Sequence, residues 1–282
     1  MPSSKTYVGV LFGGASSEHD VSIKSASTVI CALQSETNSS RFLVKLIYID
    51  KQGRWWAEDI AQKALQKGSA LNETELPSPL ASKGFKELPR GSEQINVWYP
   101  VLHGPNGEDG TVQGLFKLMK KPFVGSGVLA SAVGMDKLAM KAAFRAVGLP
   151  QVPYCSAFAD ELLNKDNQLT LITKLETQLG YPCFIKPANL GSSVGISKAT
   201  NKQELLEGLK IAAKHDHRIV VEKAVIAREL ECAVVGNEKL ETSAVGEIRF
   251  KGDWYDYETK YSHNSSQAII PALIPKFISD QV

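Results

Sequence analysis

A parallel α/β unit followed by an α+β unit is the fold class this sequence predicts, and three observations predict it. In the first half, apolar runs end in glycine turns and give way to helical periodicity. A long helical pattern then stops at Gly148-Leu149-Pro150, a strong termination signal. Beyond that stop, helical stretches are mixed with short segments whose apolar residues alternate with polar ones, as strands require.

Residues 7–12 (YVGVLF) form the first strand and end in Gly13-Gly14. From about residue 20, Val21, Ile23, Ala26, Val29, Ile30 and Leu33 recur on one helical face. Residues 42–49 read as a second strand and 97–102 as a third, the latter followed by a glycine-rich turn and a helix over 111–119. Such alternation indicates a parallel sheet. Residues 72–90, rich in Pro, Ser, Lys and Glu and without periodicity, read as a surface excursion. Residues 129–147 carry Met135, Leu138, Ala142, Phe144 and Val147 among good helix formers and read as one helix, near whose end a second domain starts.

In the second half, Cys183, Phe184 and Ile185 form a short strand that Lys186 and Pro187 leave. Gly191 to Gly195 make a hairpin connection, and Ile196 and Ser197 begin the return strand. A helix is expected over 203–213 and a strand over 218–221, then two alternating strands over 229–235 and 242–250 with a turn at Gly236-Asn237. Ile274 and Pro275 open a helix with Pro275 in its first turn, yet the chain reaches Val282 after about two turns, too few for a stable isolated helix. A C-terminal piece is therefore expected to be missing.

The bulk properties exclude several classes. The chain has 282 residues, which suggests roughly two domains. With 32 basic and 30 acidic residues and no basic stripe, nucleic acid and membrane surfaces are poor partners. No apolar run approaches the ~18 residues of a spanning helix. Cys31, Cys155, Cys183 and Cys232 lie far apart, Cys183 and Cys232 within apolar strand patterns, so buried free thiols in a reducing cytoplasm are expected.

The segment 181–198 (YPCFIKPANLGSSVGISK) carries the most chemistry. Small residues let backbone N–H groups approach phosphate oxygens, and Lys186 beside them supplies a point charge, a device suited to a nucleoside triphosphate. The spacing is not that of a P-loop, and a surface hairpin with a solvated lysine fits the segment equally well. Gly13-Gly14 does not continue as the G-x-G-x-x-G of an NAD-binding oxidoreductase.

Five segments in order make the chain resemble the D-alanine-D-alanine ligases of the ATP-grasp group. They are GGASSEHDVS at 13–22, LHGPNGEDGTVQG at 102–114, GSGVLASAVGMDK at 125–137, IKPANLGSSVG at 185–195 and WYDYETKYS at 254–262. The resemblance implies an N-terminal substrate domain over 1–125, a central ATP-grasp domain over 126–222 and an incomplete C-terminal one over 223–282. It implies ATP and D-alanine as substrates, magnesium as the metal, and a possible homodimer. Lys137, Lys186 and Lys260 fall on phosphate-contacting positions, with Ser192 and Ser193 in the loop. Glu18 would receive the ammonium of the first D-alanine, and His103 would lie near its carboxylate. Ser192 and Tyr261 would close the site with Glu18, and Tyr261 favours D-alanine as second substrate. Glu222, Lys223 and Val225 would meet adenine, and Glu229 ribose.

Singly, each has a plainer meaning. The lysines would be solvated charges, Glu18 an acidic group at a helix start, and Glu222 and Lys223 the charged end of a strand. The family's magnesium ligands, an aspartate and a glutamate-x-asparagine-x-x-proline-glycine pattern preceded by an arginine, are not found: after Tyr261 the only acidic residue is Asp280. Magnesium needs carboxylate oxygens, so impaired turnover is expected, and an inactive nucleotide-binding or dimer-partner relative is the alternative.

Overall fold

The computed structural model describes residues 5–78, 82–250 and 266–282. They divide into two compact units, 1–149 with 189–191, and 150–188 with 192–282. The main division falls between Leu149 and Pro150.

In the first unit, β1 (Thr6–Gly13), β2 (Phe42–Ile49), β3 (Trp55–Trp56) and β4 (Val97–Leu102) form one sheet in the order β3-β2-β1-β4. It is parallel except for the two-residue edge strand β3. As the central strand, β1 is buried on both faces, which explains why its sequence is a nearly continuous apolar run. Val10 and Phe12 pack with Tyr48 against α1 (His19–Gln34) through Ile23 and Ala26. After the short α2 (Glu36–Ser39), α3 (Glu58–Lys67) adds Ala61 and Ala64 to the same layer. Leu11 points the other way, into a cluster with Ile47, Trp98 and Phe116 of α4 (Thr111–Leu118). Each of these fully buried large side chains contributes roughly 1.5–3 kcal/mol.

The sequence reading passed over β3 and α3. It also took 129–147 as one helix, whereas the structure has α5 (Val128–Met135) and α6 (Lys137–Ala146). The break is Asp136, whose extended backbone and side chain, accepting the Ala139 N–H at 2.9 Å, cap α6. The excursion at 72–90 is not wholly on the surface. Asn72 and Glu75 form a capping box, Leu76 is buried, and the Phe85 ring meets Trp55 edge-on at 5.0 Å.

In the second unit, β5 (Tyr154–Phe158), β6 (Cys183–Pro187), β7 (Ser197–Ala199) and β8 (Arg218–Lys223) form an antiparallel sheet in the order β5-β8-β6-β7. Helices α7 (Lys165–Gln178) and α8 (Lys202–Ala213) cover it with Leu171, Leu175, Leu205 and Leu209, packed on Ile185, Ile219 and Val221. Lys186 and Pro187 do not leave the strand. They stay in register with Val220 and Ile219, because alternation buries Ile185 and Pro187 and turns Lys186 outward.

The two strands expected over 229–235 and 242–250 are four: β9 (Glu229–Glu231), β10 (Val234–Gly236), β11 (Leu240–Thr242) and β12 (Gly246–Phe250). Pairing is interrupted between them, where Ser243 Oγ accepts the Ala233 N–H at 2.9 Å and Ser243 N–H donates to the Ala233 carbonyl. β13 (Ser266–Ile269) adds to β12, and α9 (Lys276–Ser279) follows Pro275, which sits at the cap.

All four cysteines are free, and Cys155 and Cys183 are buried. Cys31 is exposed, however, and Cys232 is only half-buried because it lies in the interruption between β9 and β10. Among the described residues, no helix is long and apolar enough to cross a membrane.

Candidate functional site

In the first unit the site is built at the ends of β1 and β4. Gly13 and Gly14 have φ of +92° and +100°, and a Cβ on Gly13 would lie 2.2 Å from the Ile49 carbonyl, so the turn needs glycine. Ser22 ties this turn to β4: its Oγ accepts the Gly13 N–H at 2.8 Å and donates to the Val101 carbonyl. His19, wholly buried, places Nδ1 2.6 Å from the Gly14 carbonyl and Nε2 3.0 Å from the Tyr48 hydroxyl. Burial lowers the His19 pKa and raises that of Tyr48 to about 12, so both are neutral in ordinary buffers.

Glu18 immediately precedes α1 and is 6% exposed. Its carboxylate faces two glycines: a Cβ on Gly104 would come within 3.0 Å of Oε2, and one on Gly191 within 3.8 Å. A carboxylate flanked by side-chain-free backbone can accept a compact cation such as an ammonium group. His103 follows β4, with Nε2 3.4 Å from Ser25 Oγ, and lines a cavity of about 340 Å³ with Gly14, Trp55 and Asn106.

The loop after His103 is fixed by its own acids. Glu108 accepts the Gly104 N–H at 2.7 Å. Burial opposes the charge of Asp109, but the N–H groups of Asn106 and Thr111 outweigh it and hold the carboxyl below its usual range. Gln113 donates to the Gly107 carbonyl at 2.8 Å, while its buried Oε1 has no hydrogen-bond partner among the described residues. Gln113, Glu108, Ser131, Lys137 and Gly191 line a second cavity of about 620 Å³. Lys137 opens α6 and donates to the Leu190 carbonyl.

In the second unit, Lys186 and Glu222 face each other across β6 and β8, with Nζ 2.5 Å from Oε2. Their expected separate roles, on phosphate and on adenine, therefore begin from one ion pair. Lys186 also lies 5.9 Å from the centroid of the Phe184 ring. Ser192 and Ser193 hold φ of +48° and +60°, conformations that side chains other than glycine rarely adopt and that collect at ligand-binding loops. The N–H groups of Lys223 and Ala224 are committed to the carbonyls of Pro153 and Pro182. Val225 is 54% exposed, and Glu229 is exposed in β9 opposite Ile248.

Lys260 and Tyr261 lie outside the described residues. Among the described residues, no group of three or more His, Cys, Asp or Glu side chains is placed to hold a metal ion, so magnesium enters no step derived below. His19, Ser22, Glu108 and Gln113 were missed as parts of the site. For His19 and Ser22 the signal was present: with Ile23, Ala26 and Ile30 they occupy the buried face of α1, where polar residues need partners.

Two family models, described as the N-terminus and the C-terminus of D-ala D-ala ligase, match residues 7–126 and 143–282. The chain belongs to the D-alanine-D-alanine ligase family. A D-alanine–D-alanine ligase of Prochlorococcus marinus (strain MIT 9303) is 62% identical over 282 residues, all of this chain and 80% of the relative. One from Synechococcus sp. (strain CC9311) is 60% identical over the same span, again 80% of the relative. Among solved structures, VanG D-Ala:D-Ser ligase from Enterococcus faecalis matches with a TM-score of 0.76 and 30% identity, over 99% of this chain and 80% of that one. The D-alanine-D-alanine ligase from Coxiella burnetii matches at 0.74 and 27% identity, over 98% and 74%. These neighbours of the ligase family share the ATP-grasp architecture that the resemblance implied.

Proposed function

We propose that this chain carries the function of a ligase that joins two D-alanines through a D-alanyl phosphate formed from ATP, in peptidoglycan precursor synthesis, with turnover by these 282 residues impaired because the family's magnesium pattern is not found in them. The observation that carries this reading is the Glu18 carboxylate, buried against Gly104 and Gly191. A carboxylate resists attack by an amine. The carboxylate of the first D-alanine therefore takes the γ-phosphoryl group, ADP leaves, and the amine of the second D-alanine displaces inorganic phosphate as the amide forms. Negative charge moves between oxygens in both steps, and fixed cations and N–H donors stabilise it.

Glu18 holds the first ammonium and His103 lies by its carboxylate. Lys137, Lys186 and Lys260 face phosphates, with Ser192 and Ser193 supplying the loop. Glu222, Lys223 and Val225 meet adenine, Glu229 meets ribose, and Ser192 and Tyr261 close the site with Glu18. The pairing of Lys186 with Glu222 holds both side chains in place before nucleotide arrives. Tyr261 directs the second position to D-alanine. We assign this work to domains over 1–125, 126–222 and 223–282, in a cytoplasmic protein able to pair with itself.

The family's magnesium pattern is not found in these 282 residues. The polypeptide ending at Val282 is accordingly expected to bind ADP and D-alanine with little turnover. The test is D-alanine-dependent phosphate release from Mg-ATP, with calorimetric ADP binding in parallel, on protein of verified intact mass. Binding of neither ligand would overturn the assignment. Robust release would show that other residues supply the metal site.

A further inference from the structure

His19 is buried beside the proposed ammonium acceptor, yet no role in the reaction falls to it. Its proton positions follow from its partners. A carbonyl oxygen can only accept, so Nδ1 must donate to Gly14, at 2.6 Å. Burial disfavours the charged ring, which leaves Nε2 without a proton and able only to accept. The Tyr48 hydroxyl, 3.0 Å away, must then donate to Nε2, and its oxygen is free to accept the Leu71 N–H at 3.3 Å. The chain of donors runs in one direction, from Leu71 through Tyr48 and His19 to Gly14.

The Gly14 peptide is thereby gripped at both ends, since its N–H donates to the Ile49 carbonyl at 2.9 Å. Within the next turn, the Glu18 N–H reaches Ser16 Oγ at 3.2 Å, and the His19 N–H reaches the Ser16 carbonyl at 3.4 Å. Residues 14–19 are therefore a loop closed by the imidazole, and Glu18 projects from it toward Gly104 and Gly191.

We propose that His19 is a positioning residue for Glu18, closing the 14–19 loop through Gly14 so that the carboxylate is preset for the ammonium group of an amino acid. The proposal rests on the reading of Glu18 as the ammonium acceptor. It separates two substitutions that a merely structural role would not. In His19→Asn the amide nitrogen takes the place of Nδ1 and keeps the donor to Gly14. In His19→Gln the amide reaches the Tyr48 side and loses that donor.

D-alanine binding is followed by NMR titration of the 282-residue chain, with L-alanine as control and thermal melts for each variant. His19→Gln should weaken D-alanine binding about tenfold, the scale of one lost hydrogen bond, and His19→Asn by about threefold or less. Tyr48→Phe, which keeps the Gly14 bond but frees the imidazole tautomer, should fall between them and serves if His19→Gln does not fold. ADP affinity should not change in any of the three. Equal D-alanine affinity for His19→Asn and His19→Gln would overturn the proposal alone, provided Glu18→Gln loses binding. Wild-type affinity in Glu18→Gln would overturn the Glu18 reading and the proposal with it.

Discussion

Replacing Lys186 by Met and Glu222 by Gln, singly and together, tests whether the ion pair between β6 and β8 acts as a unit. The two side chains are 25% and 12% exposed and 2.5 Å apart. A hydrogen bond between charged groups contributes about 1.5–3 kcal/mol. With this degree of exposure, solvent screening reduces the expected coupling to about 1–2 kcal/mol. Lys186→Met should be the costlier single change, about 2–3 kcal/mol, because it removes the cation at 2.5 Å from a carboxylate that is mostly shielded from water. Glu222→Gln leaves Lys186 an acceptor and should cost about 1 kcal/mol. The double variant should be less unstable than the sum of the two, which is the signature of a direct interaction. Native-state hydrogen exchange at the amides of Ile185, Val220 and Val221 reads the second unit by itself, since these residues form its core. An additive cycle, with coupling below about 0.3 kcal/mol, would refute the view that these two residues are held as a pair.

Two further outcomes follow from local geometry. Gly13→Ala should destabilise the first unit by about 2 kcal/mol or more in chemical unfolding, since the residue sits at φ +92° with the Ile49 carbonyl where the methyl would go. Glu247 is held down to about 2 from an ordinary 4.5 by hydrogen bonds from Arg228, with burial opposing and Arg249 assisting. A folded pKa below the unfolded one stabilises fully above about pH 4.5 and is lost as pH falls toward 2. Glu247→Gln should therefore flatten the acid limb of the stability profile, and an unchanged slope between pH 4.5 and 2 would count against the pairing.

Much of the fold was legible because its signals are local. β1 and β4 are apolar runs whose neighbours must be strands, and the bounds expected for β2 and β4 match those observed. Gly148-Leu149-Pro150 was legible as a helix stop because backbone chemistry alone ends a helix there, and the observed helix ends at Ala146. α3 was passed over although its signal is present: Ile60, Ala61, Ala64 and Leu65 recur at helical spacing and pack on the core of the first unit. Asp136 was hidden inside a helical pattern, where an N-cap looks like any polar residue until the chain turns.

The candidate residues divide along the same line. Glu18, His103, Lys137, Lys186 and Glu222 were singled out through the five-segment resemblance, because a lone lysine, histidine or glutamate beside a glycine turn or at a strand end has a plainer meaning. That Lys186 is bonded to Glu222, 36 positions away, depends on the register of β6 against β8. That His19 faces Gly14 and Tyr48 depends on α1 lying across β1 and β2. By itself the sequence determined most of the long elements, the family and the residue types available for charge. Only the tertiary structure decided which of those groups are partners, because hydrogen bonds and ion pairs form over about 3 Å and no local pattern records which distant residue will come that close.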